Sequence, residues 1–141
     1  MKHILLSALV VSAGVAHGQL FTEDFESYDV GDGISVAAGA PWALWTAGAA
    51  DQEAFISNDV AQSGTNSLKL ESASPAGGPQ DIMLIAGLGN GSYEVTFSLF
   101  VPDGFSGYYN VQENQIQGTD WAFETILYGD GNITYAVDGV V

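Results

Sequence analysis

The chain has 141 residues, of which 47% are hydrophobic, so it is long enough for one domain and apolar enough to form a core. It contains 17 acidic and only 2 basic residues, for a formal net charge of −15. This shortage of Lys and Arg argues against nucleic-acid binding, because phosphate contacts depend on those residues.

The first 18 residues have the pattern of a signal peptide. Residues 1–3 are basic, residues 4–15 are mostly apolar, and small residues at Ala16 and Gly18 precede Gln19. The apolar stretch is shorter than the ~20 residues that a membrane span needs. The sequence therefore predicts a secreted or cell-surface protein with no membrane span after cleavage, and a single domain over residues 19–141.

Removal of the signal peptide leaves a narrow chemical inventory. Lys2, His3 and His17 leave with it, so the net charge falls from −15 to −16 and Lys69 is the only remaining basic residue. The rest of the chain has no Arg, His or Cys. Ser-His-Asp and Cys-His catalysis, zinc sites built on imidazole or thiolate, and disulfides are excluded, and carboxylates are the only general acids and bases.

Short alternating segments bounded by Gly, Asn and Pro predict an all-β protein. The clearest is 92–101, where Tyr93, Val95, Phe97, Leu99 and Val101 share one face. Residues 129–132 predict a hairpin loop, and residues 90–91 are a second candidate turn. The pattern indicates an antiparallel β-sandwich or jelly roll. The predicted strands are 20–26, 43–46, 54–58, 67–71, 81–88, 92–101, 108–113, 121–128 and 133–137.

The last residues predict a strand that turns back and stops. Asp138 and Gly139 form a typical hairpin turn after strand 133–137, and Val140 and Val141 begin a return. An apolar edge strand without a partner is an aggregation hazard, so we expect the natural protein to continue with closing strands. A natural terminus with a frayed edge is the alternative.

A family resemblance depends on segments spread over most of the chain after residue 18. These are 21–28, Trp42, Trp45, 56–70, 93–104, 107–110 and 120–124. They resemble laminin-G-like, concanavalin A-like jelly-roll domains of secreted bacterial multidomain proteins. The resemblance implies a jelly-roll sandwich, and such domains often carry one structural calcium ion. Many of these proteins end in a type IX secretion sorting domain, which this sequence does not contain, so the export route stays open.

Aromatic residues are the candidate ligand contacts, because a ring can stack on the apolar face of a sugar. Tyr108 and Tyr109 are the best candidates, since neighbouring residues of a strand point to opposite faces and one ring should lie outside the core. Trp121 completes the predicted binding set, and Trp42 and Trp45 are weaker candidates. The alternative is that these rings are core material.

Carboxylates on the first predicted strand are the candidate metal ligands. Glu23, Asp24 and Glu26 lie close together in sequence, and Asp130 and Asp138 lie at hairpin ends. Ca²⁺ prefers oxygen ligands, and few basic residues compete for these carboxylates. The sequence therefore predicts a structural calcium ion at Glu23, Asp24 and Glu26, with a solvated acidic face as the alternative.

Glycosidase chemistry would need two carboxylates. Concanavalin A-like glycosidases place acidic residues in a Glu-x-Asp-x-Glu or Glu-x-Asp-x-x-Glu pattern that does not occur here. Asp120 and Glu124 share a strand face, but about 13 Å of strand separates them, beyond the ~5–9.5 Å that carboxyl pairs use. The sequence predicts a non-enzyme.

The predicted function is a non-catalytic module of a larger extracellular protein that recognises glycans or cell-surface polymers. A structural or adhesive spacer beside a catalytic domain is the first alternative. A divergent glycoside hydrolase that depends on Glu124 is the second.

Overall fold

A computed structural model describes residues 20–72, 77–114 and 116–137. This part of the chain is nearly all β and its strands pair antiparallel, which confirms the all-β, antiparallel part of the predicted fold. The predicted turn at Asp138 and the signal peptide lie outside the described residues. The strands are β1 (Trp42–Leu44), β2 (Phe55–Ser57), β3 (Ser67–Lys69), β4 (Ile82–Leu84), β5 (Ser106–Gln112), β6 (Trp121–Tyr128) and β7 (Ile133–Val137).

The described strands form three antiparallel sheets. β1 pairs with β4, β2 pairs with β3, and β5, β6 and β7 form a three-stranded meander. The β2–β3 pair lies between β1 and β4 in the sequence, so one pairing is nested inside the other. No helix in the described residues is long and apolar enough to cross a membrane.

A small core lies where the one-turn helix α1 (Ile34–Ala37) meets β2. Ile34 and Ala54 are fully buried and Ile56 is 2% exposed. Along β2, Phe55 is exposed, whereas Ile56 and Ser57 are buried. The partly buried residues around this core are Phe25, Tyr28, Ala38, Trp42, Leu68 and Ile82.

Glu53 fixes α1 against β2. The N-cap position of α1 is Gly33, which has no capping side chain, and the Glu53 carboxylate serves instead. Glu53 accepts hydrogen bonds from the backbone N–H of Ser35 at 3.0 Å and from the Ser35 hydroxyl. A Cβ on Gly33 would lie 2.7 Å from Glu53 Cγ, so glycine lets the carboxylate approach.

The β6–β7 hairpin confirms the predicted loop at 129–132. Tyr128 donates its N–H to the Asn132 carbonyl at 2.9 Å, and the Asn132 N–H donates to Asp130 Oδ1 at 2.9 Å. Gly131 has φ +89°, a conformation that glycine adopts without a steric penalty. The sequence pattern therefore located this turn correctly.

Two segments that the sequence predicts as strands, 20–26 and 92–101, are not strands in the structure. Residues 20–26 lead into a turn in which Phe25 has φ 63°. Residues 92–101 contain no ladder of strand hydrogen bonds, although Phe97 packs on Tyr109 with ring centroids 4.9 Å apart. Alternation reports which side chains can share a face; it does not show whether a partner strand aligns with the backbone.

Candidate functional site

Tyr108 and Tyr109 lie on opposite faces of β5, as strand alternation predicts. The Tyr109 ring makes edge contacts with Phe97 and with Phe123, whose centroid is 5.9 Å away. The Tyr108 side is open, and this residue is 54% exposed. Of the two tyrosines, Tyr108 therefore offers a ring to a ligand, whereas Tyr109 forms part of an aromatic cluster.

A chain of hydrogen bonds holds Tyr108 in place. The Gly118 N–H donates to Gln112 Oε1 at 2.7 Å, and Gln112 Nε2 donates to Asn110 Oδ1 at 3.3 Å. Asn110 Nδ2 donates to the Tyr108 oxygen at 3.1 Å, and the Tyr108 hydroxyl donates to Glu124 Oε1 at 2.6 Å. Each donor bonds to the next member of the series, which crosses from β5 to β6 at its last bond and ends at Glu124. We call the side chains of Gln112, Asn110, Tyr108 and Glu124 the polar ladder.

Strand register explains how the polar ladder forms. Residues 108, 110 and 112 alternate with apolar or aromatic residues along β5, so they share one face. Asn110 lies opposite Glu124, and Tyr108 lies opposite Ile126. Diagonal neighbours on one face lie about 7–8 Å apart, within reach of an aromatic side chain, so Tyr108 can contact Glu124.

The loop after β5 connects the polar ladder to Trp45. Gln117 donates through Nε2 to the Trp45 carbonyl oxygen. A Cβ on Gly118 would lie 3.3 Å from Trp45 Cζ2, and Gly118 has φ +76°. A glycine at this position therefore allows the loop to lie against the indole and to donate to Gln112. The candidate surface therefore extends from the exposed Tyr108 ring at one end of the ladder to the half-buried Trp45 indole at the other.

The surroundings of Tyr108 are acidic. Partial burial raises the Tyr108 pKa above its usual range, and the hydrogen bond to Glu124 raises it further. The negative charges of Glu124 and Asp81 act in the same direction, and the Asn110 donor partly opposes them. Burial also raises the pKa of the Asp81 carboxyl, although this residue keeps access to solvent. The ladder thus lies in a negative field.

The one basic side chain among the described residues is already paired. Lys69 Nζ lies 2.8 Å from Asp59 Oδ2 and 2.8 Å from Glu71 Oε1. The hydrogen bonds to Asp59 and Glu71 raise the Lys69 pKa, and the bond from Lys69 lowers the Asp59 pKa. Lys69 therefore does not offset the acidic surroundings of the polar ladder.

Trp121 begins β6 and lies opposite Gln112, beyond the register shift between Val111 and Gln112. It is half-buried. The structure thus brings Trp121 to the same strand pair as Tyr108. It makes none of the hydrogen bonds of the polar ladder.

The three predicted calcium ligands lie in the turn around Phe25. Glu23 accepts hydrogen bonds from the Phe25 N–H and the Tyr28 hydroxyl, both at 2.9 Å, and Asp24 accepts from the Glu26 N–H at 3.1 Å. Across residues 20–72, 77–114 and 116–137, no group of three or more acidic, His or Cys side chains is placed to hold a metal ion. Calcium at Glu23, Asp24 and Glu26 stays a prediction.

Glu26 ties the turn to a distant loop. Its Oε1 atom accepts hydrogen bonds from the backbone N–H groups of Thr65 at 2.8 Å and Asn66 at 2.7 Å. A Cβ on Gly64 would lie 2.5 Å from the same oxygen, so this glycine allows the close approach. Asn66 returns the contact by donating to the Phe25 and Tyr28 carbonyls. Glu26 therefore has a structural role with or without a cation.

A second concave surface lies on the opposite face of the meander. It is an open apolar cavity of about 400 Å³ between the 92–101 segment and the sheet. Most of its lining side chains are apolar or aromatic. The lining residues are Val95, Thr96, Phe97, Leu99, Tyr109 and Leu127.

No protein-family model, no curated protein and no solved structure matches the chain. Inference about the site therefore depends on its geometry. Sequence reasoning named Tyr108, Tyr109 and Trp121 but missed Asn110, Gln112 and the proximity of Asp81. The signal for the two amides was present, since a Tyr-x-Asn-x-Gln alternation places three polar groups on one strand face.

Proposed function

We propose that the protein is a secreted, non-catalytic module that recognises carbohydrate through Tyr108 and the polar ladder. The observation that carries this proposal is a tyrosine ring that is 54% exposed while its hydroxyl is bonded to Glu124 at 2.6 Å. A ring fixed before binding loses little conformational entropy when a sugar stacks on it. Orientation by hydrogen bonds is therefore an advantage for ligand recognition.

The ladder also offers polar groups suited to sugar hydroxyls. Asn110 and Gln112 each use one N–H of the side-chain amide within the ladder, which leaves a second N–H on each. Glu124 uses Oε1 for Tyr108, and Oε2 remains as an acceptor. Donors and acceptors beside an exposed ring are the usual composition of a site that orients a polar ligand.

The proposal includes a jelly-roll β-sandwich as the complete fold and export through the N-terminal segment. Three antiparallel sheets and the nesting of β2–β3 within β1–β4 support a sandwich. The basic, apolar and small-residue order of residues 1–18 supports export. Glycans and cell-surface polymers outside the cell are the partners that such a module would meet.

We expect no hydrolysis of the bound glycan. Glycoside hydrolysis uses a general acid and a second carboxylate at a fixed separation, and the polar ladder itself contains the single carboxylate of Glu124. That carboxylate accepts a hydrogen bond from the Tyr108 hydroxyl, which suits a positioning role. Turnover of a β-glucan that is lost in Glu124→Gln would instead support a divergent hydrolase.

A glycan array followed by calorimetry with Tyr108→Ala tests the proposal. The variant should weaken binding at least about fivefold, because truncation of an anchoring aromatic costs more than about 1 kcal/mol. Tyr135→Ala is the matched control, since Tyr135 is 68% exposed and belongs to the other face of the same sheet. This control should bind as the wild type does.

Two results would count against carbohydrate recognition. Wild type that binds no glycan, with or without calcium, would favour the spacer function. Equal losses in Tyr108→Ala and Tyr135→Ala would place binding elsewhere. Thermal denaturation of each variant should accompany calorimetry, so that loss of folding is distinguished from loss of the contact.

A further inference from the structure

The charge around the polar ladder restricts the kind of glycan that it can accept. Glu124 ends the ladder with one carboxylate oxygen not used by Tyr108, and Asp81 is close enough to act on the Tyr108 hydroxyl. Lys69 is the one basic residue of the described chain and is held between Asp59 and Glu71. An anionic polysaccharide would therefore approach like charges with no cation to compensate them.

Ring and carboxylate together form an arrangement suited to an ammonium group. A cation is attracted to the face of an aromatic ring, and a carboxylate beside the ring accepts its N–H donors in a charge-assisted hydrogen bond. Tyr108 supplies the exposed ring and Glu124 supplies the carboxylate, joined at 2.6 Å. Neutral sugars could use the ring and the amides, but only a cationic sugar would use the charge as well.

The charge of the whole chain acts in the same direction. A formal net charge of −15 attracts polycations over a distance of about one Debye length and repels polyanions. This long-range term increases the rate of encounter, whereas the contacts at Tyr108 and Glu124 decide which encounters persist.

We propose that the polar ladder selects cationic amino-sugar polymers, in which a free amine contacts the exposed Tyr108 ring and the second carboxylate oxygen of Glu124, over neutral and anionic glycans. This inference rests on the proposed carbohydrate function of the same surface. It adds the class of ligand and assigns the selection to one carboxylate.

The test compares three oligosaccharides of equal length by calorimetry. They are a glucosamine oligomer with free amines, its fully N-acetylated neutral counterpart, and an anionic oligogalacturonate. The glucosamine oligomer should bind about two- to fivefold more tightly than the neutral one, the factor expected for a solvent-accessible charge pair. The anionic oligomer should bind most weakly.

Glu124→Gln should remove most of the preference for the free amine, so that the ratio of the affinities for the glucosamine and N-acetylated oligomers approaches one, as expected if one carboxylate carries the discrimination. Glu94→Gln is the matched control. It removes the same charge from the exposed 92–101 segment, which packs on the other face of the meander. This variant should keep the wild-type preference. Melting curves of both variants check that folding is intact.

Four outcomes decide the matter. Loss of preference in Glu124→Gln alone supports the inference. Equal affinity for the amine and N-acetyl oligomers overturns the inference and leaves carbohydrate recognition standing. Absence of binding to every oligomer overturns both. Equal effects of Glu94→Gln and Glu124→Gln, or equally tight binding of polylysine, would show diffuse attraction of a polycation and overturn the inference as well.

Discussion

At the scale of single residues, Tyr108 combines an exposed ring with a hydroxyl that is already bonded. Side chains of a strand stand roughly perpendicular to the sheet and lean along it. The ring can therefore meet solvent while the hydroxyl at its end reaches a residue of the neighbouring strand. The Glu124 carboxylate is that neighbour, at 2.6 Å. Because this hydrogen bond is one cause of the raised Tyr108 pKa, the titration of Tyr108 reports whether the bond is present.

Glu124→Gln should lower the Tyr108 pKa towards the usual tyrosine value. The substitution replaces the charged carboxylate acceptor by a neutral amide oxygen and removes a nearby negative charge. The pKa should stay above the usual range, because partial burial is the largest cause of the increase and does not change. NMR titration of the assigned Tyr108 ring signals in both proteins would check this. An unchanged Tyr108 titration would contradict the hydrogen bond.

The difference in stability between Asp81→Asn and wild type should depend on pH. Burial raises its pKa in the folded state, so the native protein binds this proton more tightly than the unfolded chain does. The group therefore costs stability as the pH rises from the unfolded value of about 3.9 through the folded pKa. Asp81→Asn should be more stable than wild type at pH 7 by at most about 0.5 kcal/mol, because the site is solvent-accessible.

The measurement is the difference in free energy of unfolding between Asp81→Asn and wild type across this pH range. The difference should vanish below about pH 3, where the carboxyl is protonated in both states. A difference that grows as the pH falls would have the wrong sign and would refute the assignment to burial.

At the scale of elements, the junction of α1 and β2 depends on a close approach between Gly33 and Glu53. Gly33→Ala should destabilise the protein by about 1–3 kcal/mol, the usual cost of forcing an atom into a filled space. The new Cβ would lie 2.7 Å from Glu53 Cγ and displace the carboxylate that caps α1. Urea denaturation measures the loss.

Gly89→Ala is the control for Gly33→Ala. Like Gly33, Gly89 does not have a positive φ, and a Cβ there would meet nothing within 4 Å. Its effect should fall within about 0.5 kcal/mol, as for most surface substitutions. Similar losses at both positions would show that the Glu53 contact is not responsible.

Thermal denaturation with and without Ca²⁺ tests the calcium site predicted at Glu23, Asp24 and Glu26. Binding to the folded state alone stabilises a protein, so millimolar Ca²⁺ should raise the melting midpoint beyond the effect of matched ionic strength. Asp24→Asn should reduce this increment. An equal response to Mg²⁺, which requires a tighter octahedral site, would indicate diffuse counterions and would contradict a specific site.

Sequence reasoning worked at the element scale where local signals agree. The alternation and turn residues of 121–137 located β6, its hairpin and β7, because a tight turn sets the register of adjacent strands. It failed for 92–101, where the same alternation describes side chains that cover a sheet face. The site was half predicted: the exposure of one tyrosine follows from β5, but the position of Asp81 depends on the fold.

At the scale of the whole molecule, charge is the dominant property. With 17 acidic and 2 basic residues, the folded chain repels itself at low ionic strength. Added salt screens this repulsion over a Debye length that shortens from about 30 Å at 0.01 M to about 10 Å at 0.1 M. The melting midpoint should therefore rise between low salt and about 0.5 M NaCl, where screening is strong.

Differential scanning calorimetry in NaCl measures the salt effect. Repetition in a second monovalent salt separates screening from specific ion binding, since screening depends on ionic strength alone. A midpoint that is flat or falls with salt would mean that the Lys69 bridges to Asp59 and Glu71 outweigh the general repulsion.

The nesting of the β2–β3 pair within β1–β4 has a consequence for the order of folding. The closure of a long loop costs entropy that grows with its length, and a shorter effective loop costs less. Once β2 and β3 have paired, the chain between β1 and β4 is already shortened, so the outer pair closes across a smaller gap. The meander of β5, β6 and β7 does not depend on an earlier pairing, because its strands pair with immediate neighbours in the chain. Proteins rich in local pairings fold faster, so the meander should acquire hydrogen-exchange protection early in refolding. Protection of β1 and β4 should follow that of β2 and β3.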